Sequence, residues 1–210
     1  MNDADHNRRP IKARSSICSK KAASFLVKTN VSPNQISLIS IFFAGIGAMF
    51  LSWYPTPVGL LVCAAAIQGR LVCNLLDGMV AIEGGKKSPL GQIYNEFPDR
   101  IADSLLFVAL GYAIQLPSIG WLGTLAAALT AYIRVFGGSL GLQQDFRGPM
   151  AKQHRMAIMT LACILGAIEE KLWNSMYALN IALVIITLGA LITCVTRTQA
   201  IAVQLNAQNS

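Results

Sequence analysis

The sequence predicts an all-α polytopic membrane protein with six transmembrane helices preceded by an interfacial amphipathic helix. Composition is the first reason. Of the 210 residues, 54% are hydrophobic and only 13% are charged, which excludes an ordinary soluble domain. Patterning is the second. The apolar residues arrive in six blocks, near 38–53, 58–80, 101–115, 121–142, 156–168 and 176–195. A spanning helix needs about 17 to 25 mostly apolar residues. The second, fourth and sixth blocks reach that length alone. The third does so only by including the polar stretch from Gln92. The fifth must recruit Lys152 to Arg155, or else form a re-entrant or buried helix.

The distribution of basic residues orients the spans. Arg8, Arg9, Lys12, Arg14, Lys20, Lys21 and Lys28 precede the first block, and six crossings put Lys86, Lys87, Arg147, Lys152, Arg155 and Arg197 on the same side. The other side has Lys171 alone, beside Glu169 and Glu170. The positive-inside rule then places both termini in the cytoplasm. The net charge of +7 reads as attraction to anionic headgroups and not as a nucleic-acid footprint.

Residues 1–14 are polar and are expected to be a disordered tail. Over 15–30, Ile17, Cys18, Ala22, Phe25 and Leu26 share one helical face while Lys20, Lys21 and Lys28 point elsewhere, the profile of an interfacial helix. The membrane domain is expected over 31–197. It opens on Val31-Ser32-Pro33-Asn34-Gln35-Ile36-Ser37, where Ser32 can cap a helix and Pro33 suits its first turn. Short turns at Tyr54-Pro55-Thr56-Pro57 and Gln115-Leu116-Pro117-Ser118 join antiparallel neighbours, and Pro98 is expected to bend the third helix. Residues 198–210 read as a C-terminal tail. Cys18, Cys63, Cys73, Cys163 and Cys194 have no paired spacing and read as small apolar fillers.

Chemistry concentrates where the second block ends and the third begins. Asn74, Asp77, Gly78 and Ala81 share one helical face, and Asn95, Asp99 and Asp103 share a face of the next helix. Polar groups at membrane depth cost several kcal/mol unless they line a cavity or bind something. Oxygen ligands aimed from two facing helices can hold a hard divalent cation.

The spacing resembles the signature of the CDP-alcohol phosphotransferase (phosphatidyltransferase) family, D-x2-D-G-x2-A-R-x8-G-x3-D-x3-D. Asp77, Gly78, Ala81, Gly91 and Asp99 match it. Asn74 and Asn95 replace two of its aspartates and Ile82 its arginine, for which Lys86 and Lys87 could supply charge. The stretch around Ser32 is similar to the family's T-P-N-x-[IL]-T element.

The resemblance implies transfer of a phosphatidyl-type group from a CDP-activated lipid, CDP-diacylglycerol, to an alcohol acceptor, with release of CMP. It implies Mg²⁺ or Mn²⁺ held by Asn74, Asp77, Asn95 and Asp99, with Asp99 as catalytic base. Asp77, Gly78, Ala81 and Gly91 would bind CDP, and Glu96 and Asp103 are candidate substitute carboxylates. Arg134, Lys152 and Arg155 are candidates for a phosphorylated acceptor. With two charged motif ligands left, weaker metal binding or one metal instead of two is expected. Arg70, one turn before Asn74, reads as a partner that neutralises Asp77 or Asp103. A homodimer is the family habit, and Gly137 and Gly141 give a G-x3-G spacing compatible with close helix packing. The alternatives are a catalytically inactive relative that binds lipid or nucleotide, and a transporter, which has no use for the fixed gap to Gly91.

Overall fold

The computed structural model describes residues 16–29, 31–86 and 89–208, and its regular elements are all helices. They are α1 (Ile17–Lys28), α2 (Pro33–Trp53), α3 (Pro57–Glu83), α4 (Gly91–Ala113), α5 (Pro117–Ser139), α6 (Lys152–Trp173) and α7 (Tyr177–Gln208). The expected tail over 1–14 and Lys87 lie outside the described residues.

The helix starts follow local chemistry. Ser32 accepts a bond from the Gln35 amide, and the Gln35 side chain returns one to the Ser32 amide, a capping box with Pro33 in the first turn. Thr56 caps α3 by accepting a bond from the Gly59 amide, ahead of Pro57. Helix α4 runs on through Pro98. Helix α6 begins at Lys152, so the fifth block gains length by taking in Lys152 to Arg155.

Two expectations are corrected. Residues 198–208 continue α7 instead of forming a tail, because neither Gly nor Pro interrupts the chain after Gly189. Helix α5 ends at Ser139 and Gly141 lies beyond it at φ 79°, so Gly137 and Gly141 share no helical face. Gly137 instead packs against Ile201 of α7.

Helix α2 packs on α3 and α4, α3 on α6, α4 on α5, and α7 against both α5 and α6. Leu60, Ile67, Leu106, Phe107, Met159 and Leu183 lie at the centre of the apolar core. Helices α4 and α5 touch backbone to backbone, since a Cβ on Gly111 would stand 2.8 Å from the Gly120 Cα. Helix α1 covers the end of α3, its Ala23 joining Ile36, Cys73, Met79 and Val80. Cys63, Cys73, Cys163 and Cys194 are free thiols, the first three buried, as the filler reading requires.

The outer surface carries an apolar belt that includes Phe42, Leu61, Leu125, Leu161 and Leu188. Soluble monomers do not expose apolar area on that scale. Among the described residues four helices, α2, α3, α5 and α7, are long and apolar enough to cross a membrane. The protein is therefore a polytopic membrane protein. Helices α4 and α6 have 23 and 22 residues but carry the charges of the site.

Candidate active site

Side chains of α3, α4 and α6 meet toward one end of the bundle, and Arg134 near the end of α5 joins them through Glu96 of α4. Charged side chains are buried there. Asp103, 2% exposed, accepts from Arg70 Nη2 on Oδ1 and from Arg155 Nη2 on Oδ2, each at 2.8 Å. Arg70 Nη2 also lies 3.3 Å from both Asp99 Oδ1 and the Asp99 carbonyl, and its Nη1 donates to Met156 Sδ at 2.7 Å. Arg155, 1% exposed, spends its Nη1 on the Met150 carbonyl at 2.9 Å.

Asp99 is the meeting point of three helices. Its Oδ1 accepts from Asn74 Nδ2 at 3.2 Å and pairs with the Lys152 ammonium, while Arg100 Nη2 stands 3.9 Å from Oδ2. Asp77 accepts the Ser37 hydroxyl on Oδ2 at 2.7 Å. Burying a charge costs several kcal/mol unless it is paired and hydrogen-bonded. Here Arg70, Lys152 and Arg155, with Arg100 at 3.9 Å from Asp99, surround Asp77, Asp99 and Asp103.

The residues singled out from sequence therefore divide. Asn74, Asp99 and Lys152 touch one another, with Arg70, Asp103 and Arg155 directly behind them. Asn95 is exposed on α4. Gly78 and Ala81 are half-buried on α3, and Gly91 has open space where a Cβ would project. Arg70 pairs with Asp103 as expected, and with Asp99 in place of Asp77.

Both candidate substitute carboxylates carry basic partners in this structure. Both oxygens of Asp103 are taken by guanidinium groups, and Glu96 is held by Arg134. The three basic residues expected at one acceptor pocket each meet a different carboxylate. Lys152 sits on Asp99 and Arg155 on Asp103, whereas Arg134 pairs with Glu96, donates to Gln144 Oε1 at 2.8 Å and lies 5.2 Å over the Phe146 ring.

Sequence reasoning missed two contributors. Ser37, seen only as part of a helix start, is the residue that holds Asp77. Arg197, counted only as a positive-inside charge, donates to the Thr130 carbonyl at 2.6 Å and the Arg147 carbonyl at 2.9 Å, tying α7 to α5 and to the loop before α6. In that loop, burial would raise the Asp145 carboxyl, but side-chain and backbone hydrogen bonds from Arg147 outweigh it and hold its pKa below the ordinary value.

A bundle that faces lipid along its length and gathers buried carboxylates and cations at one end is the architecture of a membrane-embedded enzyme. Comparison with known proteins gives the family. The chain belongs to the CDP-alcohol phosphatidyltransferase family, whose sequence model matches residues 30–195. It is thus a transferase of phospholipid biosynthesis, of the class that moves a phosphatidyl group from a CDP-activated lipid to an alcohol. It is 32% identical to the archaetidylinositol phosphate synthase of Aeropyrum pernix, with 83% of each chain covered. It is 25% identical to the phosphatidylinositol phosphate synthase of Corynebacterium glutamicum, over 91% of this chain and 85% of that one. The fold is that of the phosphatidylinositol phosphate synthase of Mycobacterium tuberculosis solved with CDP-DAG bound. The TM-score is 0.76 at 21% identity, with 89% of this chain and 94% of that one covered. The same enzyme with manganese and citrate aligns at a TM-score of 0.73 and 20% identity, over 87% and 88%.

Proposed function

We propose that the cluster on Asp99 transfers the phosphatidyl group of CDP-diacylglycerol to a phosphorylated alcohol. The carrying observation is the fixing of Asp99 by Arg70, Asn74 and Lys152 from two other helices, at a position that matches the last aspartate of the family signature. All three engage Oδ1. Oδ2, faced by Arg100 at 3.9 Å, is the oxygen left to take the proton of the acceptor hydroxyl. The hydroxyl oxygen forms a bond to the lipid-linked phosphorus, the bond from that phosphorus to the CMP oxygen breaks, and CMP leaves with the electron pair. Gly78 and Ala81 lack bulk on the face of α3 that carries Asp77, so a cytidine nucleotide can approach the helix, and the open space at Gly91 serves the same end.

The donor set suits one hard cation. Asp77 and Asp99 supply two carboxylates and Asn74 a neutral carbonyl, while among the described residues no group of three His, Cys, Asp or Glu side chains is arranged to hold a metal ion. Mg²⁺ or Mn²⁺ held by these three residues would neutralise pyrophosphate charge when bound. Asn95, exposed and uncharged, is a weaker candidate ligand.

Six crossings are supported by the length of α4 and α6 and by their outward apolar residues, among them Ile101, Leu105, Leu161 and Leu165. The Lys/Arg distribution supports both termini and the opening of the site on the cytoplasmic side, with α1 lying on anionic headgroups. Homodimerisation rests on the family resemblance alone, since the G-x3-G spacing no longer supports it.

Arg134 is the basic residue best placed to meet the acceptor, because Arg155 is enclosed and Lys152 is engaged by Asp99. Relatives named for inositol phosphate products support a phosphate on that acceptor. A phosphate dianion would compete with Glu96 for the Arg134 fork, in a bidentate geometry that Lys cannot reproduce. Arg134→Lys should therefore raise the KM for a polyol phosphate about tenfold and leave the KM for CDP-diacylglycerol unchanged. Kinetics with each substrate varied in turn test this. Equal effects on both would reduce Arg134 to a structural partner of Glu96 and remove the case for a phosphorylated acceptor.

A further inference from the structure

We propose that the Lys152 ammonium is a built-in cation of this centre. It stands on Asp99 where a second divalent ion would otherwise bind, so the protein takes one ion and not two. The proposal rests on the metal reading above and adds the group that holds the site to one ion.

Position is the first argument. Lys152 is the first residue of α6, where the helix dipole disfavours a positive charge. Its side chain is nevertheless only 22% exposed and turned inward onto Asp99 Oδ1. A lysine at a helix end beside water ordinarily extends its ammonium into solvent. The inward course is offset only by the carboxylate it meets.

Asn74 gives the second argument. The family signature has an aspartate at that position, and two carboxylates so close would repel unless a cation stood between them. Here the carboxamide donates Nδ2 to the same Asp99 oxygen that Lys152 contacts. The amide and the ammonium are complementary: one removes a negative charge and the other neutralises what is left.

Charge balance is the third. Arg70, Lys152 and Arg155, with Arg100 3.9 Å from Asp99, already offset Asp77, Asp99 and Asp103, so two divalent ions would bring at least four unmatched positive charges into a buried site.

The test is a Mn²⁺ titration of the detergent-purified chain, read by the electron paramagnetic resonance signal of free Mn²⁺. Wild type should bind one ion. Lys152→Met should bind Mn²⁺ about tenfold more tightly or take up a second ion, because a unit charge next to the site is gone. Lys152→Arg, which keeps the charge, should match wild type, and Lys152→Gln replaces the Met variant if that one fails to fold. Adding Asn74→Asp and Asn95→Asp to Lys152→Met should give two ions. Unchanged affinity and stoichiometry in Lys152→Met, tightening in Lys152→Arg as large as in Lys152→Met, or two ions in wild type would each overturn the role of Lys152 alone. No Mn²⁺ bound by wild type, by Lys152→Met or by Asn74→Asp/Asn95→Asp would overturn the metal reading with it.

Discussion

Asp99→Asn should lower turnover by about 10²- to 10⁴-fold, the range over which a positioned general base acts. The change keeps the shape of the side chain and an oxygen that can accept from Arg70 or Asn74, while removing the proton acceptor and the partner of Lys152. Folding should survive, because Arg70 keeps its 2.8 Å bond to Asp103. CMP formation at saturating substrate, beside thermal unfolding in detergent, checks both halves. Near-normal turnover in Asp99→Asn together with loss in Glu96→Gln would move the base one turn of α4 away.

Asp103→Asn should instead act on stability. Asp103 is the shared counter-ion of Arg70 and Arg155, two of the largest fully buried side chains. Removing one partner of a buried pair costs about 3 to 5 kcal/mol, because the remaining charge is left without compensation. Arg155 would keep only neutral acceptors, the Met150 carbonyl and the Thr130 hydroxyl, and Arg70 only its 3.3 Å contact with the Asp99 carboxylate as an ion pair. The unfolding midpoint of Asp103→Asn in detergent should drop clearly, and adding Arg155→Met should recover part of the loss, since the two changes remove the same interaction. An unchanged midpoint would show that the cluster is more solvated than its burial implies.

The helices were legible because their signals are local. Ser32 and Gln35 cap α2 through bonds that span three residues, Thr56 does the same for α3, and the apolar blocks set the number of long helices. The motif on α3 and α4 was legible for the same reason, as was the Arg70–Asp103 pair, since both residues fall on motif faces.

What the sequence withheld depends on how helices rotate against one another. Lys152 meets Asp99 across 53 positions and Ser37 meets Asp77 across 40, and no periodicity encodes either contact. Arg134, Lys152 and Arg155 looked like one cluster because they share an end of the bundle. Arg134 of α5 pairs with Glu96, whereas the other two, on α6, pair with Asp99 and Asp103. The Gly137–Gly141 spacing misled because it presumes a helix that stops two residues earlier, at Ser139.

The central claim is that this charged centre carries out phosphatidyl transfer and does not merely hold a lipid. Asn74, Ile82 and Asn95, where the signature has Asp, Arg and Asp, give the silent reading its footing. The most direct measurement is CMP release from CDP-diacylglycerol by the purified protein in Mg²⁺ or Mn²⁺, with and without added polyol phosphates. Acceptor-dependent CMP should appear mole for mole with a new phospholipid and be lost in excess chelator. CDP-diacylglycerol that binds yet stays intact with every acceptor would contradict the claim and make the chain a silent lipid-binding relative of its family.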